Sequence, residues 1–190
     1  MKNKWNLLWN PFTRIAGWQA FIIGLVVVIA TGVIGTYGNL VFNGAIDAHF
    51  SDMDISFCKS FLMLGIDLIS VVLVMYIVGL TIAKGFRFVD ILGTMTLSRA
   101  PLLLLAIMAL FTHQPALSEV MKNPLIIFSY LSFIVFLILS LPVMVWFIAL
   151  MYNALKISTG IKGSKLILGF ILGIIMSEII SKILIHLIVK

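Results

Sequence analysis

The sequence predicts an all-α fold: a polytopic integral membrane bundle of about five transmembrane helices, with the N-terminus cytoplasmic and the C-terminus outside. Three observations predict it. The 190-residue chain is 62% hydrophobic and 11% charged, with a mean hydropathy of +1.21, whereas soluble domains are about half apolar and about a quarter charged. Its apolar residues fall into five stretches on the scale of the ~20 residues that a helix needs to cross the hydrocarbon core. Its cations gather in alternate connections between those stretches. A water-soluble fold is excluded, and residues 1–190 read as a single transmembrane domain.

The first 16 residues read as an interfacial segment. Trp5, Leu8, Trp9 and Phe12 recur at helical spacing beside Lys2, Lys4 and Arg14, the pattern of a stretch lying in the headgroup layer. Asn10-Pro11 interrupts it. Asn is a good N-cap and Pro suits the first helical position, so Asn10 is expected to start the long helix of the first crossing. Lys2 and Lys4 also raise a cleaved signal peptide. Two tryptophans, Asn10-Pro11 and Arg14 intervene, however, and the apolar stretch is about twice the length of a signal core, so a retained N-terminus is expected.

The five crossings are expected near 17–40, 61–83, 96–112, 125–151 and 165–189. The third is the weakest, because Arg99 and Pro101 stand at its beginning and its strictly apolar part is only about a dozen residues. Four crossings is the alternative count. Before it, Phe88, Ile91, Leu92 and Met95 repeat the helical spacing between Lys84, Arg87 and Arg99, and they read equally as a surface-lying stretch or a helix extension. Pro142 falls inside the fourth crossing and predicts a kink over 138–142. Trp146 and Tyr152 are expected near the cytoplasmic boundary.

Orientation follows from the loop cations. Lys2, Lys4, Arg14, Lys84, Arg87, Arg99, Lys156, Lys162 and Lys165 fall on one side, against Lys59, Lys122 and Lys190 on the other. The net charge of +6 is thus spread over short connections rather than gathered on one face, which argues against a nucleic-acid partner. The partners it implies are the bilayer itself and anionic lipids on the cytoplasmic face.

Chemistry-bearing motifs are missing. His49, His113 and His186 are scattered, the serines have no adjacent base, and there is neither a His-Glu-x-x-His nor a phosphate-binding loop. No enzyme activity and no cofactor are expected. Cys58 is the single cysteine and reads as a free thiol in a loop. Asp47, His49, Asp52 and Asp54 suggest a metal only weakly, since their spacing fits no ligand pattern, so the first external loop reads as solvated and acidic.

Ionisable groups inside a bilayer are costly and are functional candidates by default. Asp67, Glu178 and Lys182 are those candidates. Glu178 and Lys182 have the favoured i, i+4 order for a helical ion pair, and Asp67 is expected at a depth similar to that of Lys182. The triad reads as an interhelical ion pair fixing register, as a proton or cation site lining a polar path, or as separate snorkelling groups. Gly169, Gly173, Ser177 and Ser181 form a ridge of small residues on the fifth helix. Ala20, Gly24, Gly32 and Thr36 form a comparable ridge on the first, and the two are expected to pack together, within one chain or between copies.

Three stretches carry a family resemblance: Asn10-Pro11-Phe12-Thr13-Arg14-Ile15; Ala83-Lys84-Gly85-Phe86-Arg87-Phe88 through Arg99-Ala100-Pro101-Leu102-Leu103-Leu104; and Trp146 through Gly160 with Gly163-Ser164-Lys165. In order and layout the chain resembles the Yip-domain membrane proteins, particularly bacterial members. The resemblance implies a five-helix bundle with a cytosolic N-terminus and, in eukaryotic relatives, association with Rab-type GTPases in vesicle traffic. About 17 residues precede the first crossing, too few for an independent docking domain. The expectation is therefore a non-enzymatic scaffold or membrane-organising factor in the bacterial cytoplasmic membrane, acting through helix packing and a basic face, with a homo-oligomer or a protein partner within the membrane admitted. The alternative is a small ion- or proton-coupled transporter or channel subunit using Asp67, Glu178 and Lys182.

Overall fold

The computed structural model describes residues 6–51 and 55–189. Lys2, Lys4, Trp5, Asp52, Asp54 and Lys190, named above, lie outside the described residues. In chain order the elements are α1 (Asn6–Trp9), a 3-10 turn (Pro11–Thr13), α2 (Gly17–Tyr37), β1 (Leu40–Phe42), β2 (Ala48–Phe50), α3 (Phe57–Ile82), α4 (Phe88–Ser98), α5 (Ala100–Ala109), α6 (Leu117–Lys122), a second 3-10 turn (Pro124–Ser129), α7 (Leu131–Thr159) and α8 (Ser164–Ile188). Five helical stretches are long and apolar enough to cross a membrane: Gly17–Tyr37, Phe57–Ile82, Phe88–Ala109, Leu131–Thr159 and Ser164–Ile188. The chain is a multi-pass helical bundle.

The third stretch differs most from expectation. It begins at Phe88 rather than near residue 96, and the residues that read equally as a surface-lying stretch or a helix extension are its first half, the extension. It is also the most enclosed of the five, 67% buried against 17–44% for the others. That explains its weak hydropathy: a helix surrounded by other helices has little need of a lipid-facing apolar surface. Pro101 has no N–H to give and marks the join of α4 and α5 at Arg99, where the Leu102 N–H closes a turn on the Arg99 carbonyl at 2.9 Å.

Small residues set the helix pairing, but with partners other than those expected. The α8 ridge packs on α3, with Gly169 facing Ile82 and Val78 and Gly173 facing Met75. The α2 ridge is divided, Gly24 packing on α4 and Gly32 facing Phe61 and Leu64 of α3. A Cβ on Gly24 would stand 2.6 Å from the Leu97 nitrogen, and one on Gly93 would run into the Gly17 carbonyl. The two ridges thus do not pack on each other. Around these contacts Met75, Ile91, Met95, Phe147, Met151, Leu155 and Leu166 form the buried core.

Asn10 does not start the long helix. Its side chain makes no capping bond, the following turn spans only Pro11–Thr13, and α2 begins at Gly17 after an extended Ala16. The N-terminal segment is instead laid lengthwise against α7. Trp146 Nε1 donates to the Leu8 carbonyl and Asn153 Nδ2 to the Trp9 carbonyl, both at 2.8 Å. Trp146 is consequently far from the end of its helix. Ser158, which donates to the Asp90 carbonyl at 3.1 Å near the start of α4, lies a dozen residues on, about 18 Å along the axis. The fourth stretch also starts later than expected, since Asn123 caps the turn at Pro124 and α7 then continues through Pro142 to a left-handed cap at Gly160.

The first interhelical connection is not simply a solvated loop. β1 and β2 pair antiparallel with Leu40 opposite Phe50 and Phe42 opposite Ala48, and β1 is buried throughout. The turn between them, Asn43 to Asp47, reaches down onto α8. It defines the hairpin end of the bundle; the opposite end is formed by the starts of α2, α4 and α8 and the end of α7.

Candidate functional site

The candidate site is the ionisable core beneath the hairpin. Asp67 on α3, Arg99 at the α4–α5 join and Glu178 on α8 each lie about ten residues from the hairpin end of their stretch. At the helical rise that is about 15 Å, so three charged groups share one depth near the middle of the bundle.

Asp67 is fully buried. Ser181, one turn beyond Ser177 on the α8 ridge, donates its hydroxyl to Asp67 Oδ1. Oδ2 has no hydrogen-bond partner among the described residues, nor does the buried hydroxyl of Ser70, one turn further along α3. Glu178 is held from two sides. Its Oε2 accepts from the Ile46 N–H at 3.1 Å, and its Oε1 meets Lys182 Nζ at 3.0 Å. Lys182 also meets Asp47 at 3.0 Å with half its side chain exposed. A Cβ on Gly44 would run into the Glu178 carboxylate, so any larger residue there requires that side chain to shift.

The structure therefore divides the expected triad. Glu178 and Lys182 form the i, i+4 pair, but the third member of that cluster is Asp47 of the hairpin, and Lys182 lies at its rim. Asp67 belongs to a deeper group with Ser181 and Arg99. Gly169, Gly173, Ser177 and Ser181 are all buried along one face of α8, and the last of them supplies the polar contact to Asp67. Among the described residues, no group of three or more His, Cys, Asp or Glu side chains could hold a metal ion.

Arg99 is the residue that sequence reasoning missed. It is 2% exposed, and its three guanidinium nitrogens have no hydrogen-bond partner among the described residues. The charges of Asp67 and Glu178 act on it, Asp67 more strongly. Positive-inside bookkeeping counted it with the second loop and its margin, at the beginning of the third crossing. A signal was present: the helical pattern from Phe88 to Met95, with Asp90 in its first turn, extends the third helix backwards and puts Arg99 at its centre.

The electrostatics of this core are unlike those of a simple helix lock. An ion pair that locks two helices closes to contact and uses its remaining hydrogen bonds. Here a guanidinium with five N–H donors and the Asp67 carboxylate, on which the Gly44 backbone of the hairpin also acts, are coupled by charge without a direct ion-pair contact. No family model, no curated protein and no solved structure matches the chain. Fold and site together define a class: a multi-pass helical membrane protein with an ionisable core.

Proposed function

We propose that this chain is a non-enzymatic, Yip-like integral membrane protein of a bacterial cytoplasmic membrane, a scaffold or membrane-organising factor that works through helix packing and a basic cytoplasmic face. The observation that carries this reading is the charge difference between the two ends of the bundle. Arg14, Lys84, Arg87, Lys156, Lys162 and Lys165 lie at the end opposite the hairpin, where Asp90 is paired with Arg87 at 3.1 Å. At the hairpin end Lys182 is neutralised by Asp47 and Glu178. The positive-inside rule then favours a cytoplasmic N-terminus, and the basic end faces anionic headgroups. Each cation near such a surface contributes about 1 kcal/mol. Replacing Lys156, Lys162 and Lys165 together by Gln is expected to cut the preference for phosphatidylglycerol over phosphatidylcholine in the protein's lipid shell at least tenfold, or to invert local topology. An unchanged preference and topology in the folded variant would count against the reading.

The burial of Asp67 and Arg99 inside the bundle favours a second reading, a small ion- or proton-coupled transporter or channel subunit using Asp67, Glu178 and Lys182. It predicts ion or proton flux in proteoliposomes that is lost in folded Asp67→Asn and Glu178→Gln variants. No flux from folded wild type would set this reading aside.

A further inference from the structure

The N-terminal segment and α7 enclose two adjoining hollows that share Trp9 as a wall. One, about 570 Å³, is the more polar and is lined by Asn6, Leu7, Asn10, Thr13, Arg14 and Asn153. The other, about 380 Å³, is apolar and is lined by Leu8, Pro142, Val143 and Trp146. Along α7 the polar hollow, at Asn153, is nearer the basic end than the apolar one, at Val143, by about ten residues or about 15 Å. Polar-then-apolar in that direction is the order in which a phospholipid of the adjacent leaflet presents its phosphate and its acyl chain.

We infer that this paired hollow is a binding site for one anionic glycerophospholipid, with the phosphate at Arg14 and one acyl chain along Leu8, Pro142, Val143 and Trp146. The charge argument comes from Arg14: among the ionisable side chains described, it is the one lining the polar hollow, so an anionic headgroup is matched and no carboxylate opposes it. Thr13 and Asn6 add hydrogen-bonding groups to the same wall. The apolar hollow exists because the Leu8 and Trp9 carbonyls are tied to α7 at 2.8 Å, which holds the segment beside Pro142 without filling the groove.

The inference rests on the anionic-lipid reading above and deepens it from a diffuse attraction to a single seat. The full-length protein is delipidated in detergent, supplied with equimolar phosphatidylglycerol and phosphatidylcholine, and examined by native mass spectrometry for lipid that stays bound. One phosphatidylglycerol per chain is expected to persist. Arg14→Gln, at an exposed position, should lower its retention about fivefold, the factor for losing one cation near an anionic headgroup. Val143→Trp fills the groove and should remove retention of either lipid, while Lys59→Gln, exposed at the hairpin end and away from both the hollow and the basic face, should leave it intact. Equal retention in wild type, Arg14→Gln and Val143→Trp would overturn the site. Loss in Lys162→Gln, on the basic face but away from the hollow, equal to that in Arg14→Gln would also overturn it, yet would leave the diffuse basic face standing. No preference for phosphatidylglycerol in any form would overturn both.

Discussion

Asp67→Leu is expected to destabilise the bundle by about 3–5 kcal/mol, and adding Arg99→Met in the same chain to recover most of that loss. Both side chains are buried, and each charge acts on the other. Removing Asp67 alone leaves a guanidinium inside the bundle with only the more weakly acting Glu178, already shared with Lys182, to oppose it. Removing both leaves neutral side chains of similar bulk, which pack without any ionic requirement. Ser181→Ala should cost less, about 1.5–3 kcal/mol, the range for one hydrogen bond to a charged group. Reversible unfolding in mixed micelles of the two single variants and the double variant forms a complete cycle. A double variant as unstable as the sum of the singles would show that Arg99 and Asp67 do not depend on each other.

How far the sequence carries depends on which physical signal each feature leaves. Four crossings follow closely from apolar length, because lipid-facing helices must be apolar over about 20 residues. The third does not. It is enclosed by its neighbours and is free to carry Asp90, Thr94, Thr96, Ser98 and Arg99, so hydropathy underestimates the most central helix. Glycine and serine ridges are legible because close approach demands small residues, yet they do not say which ridge meets which helix. Here α8 meets α3, and α2 meets both α4 and α3. The Glu178–Lys182 pair is local and readable from spacing. Asp47 reaches Lys182 through a hairpin contact of long sequence separation that no local pattern encodes, whereas Arg99 is legible once the spacing from Phe88 to Met95 is read as the first half of the third helix.

Orientation is the claim on which the proposed function turns, since anionic headgroups are met by the basic end only if that end is cytoplasmic. Cys58 offers the direct measurement. It is exposed, lies in the first turn of α3 at the hairpin end, and is the only cysteine in the chain. A membrane-impermeant maleimide applied to intact spheroplasts should label Cys58 fully. A Cys58→Ser, Ser164→Cys variant, whose thiol stands at the start of α8, should be labelled only after the membrane is permeabilised. Labelling of Ser164→Cys from outside, with Cys58 protected until permeabilisation, would contradict the account and place the basic end on the wrong side of the membrane.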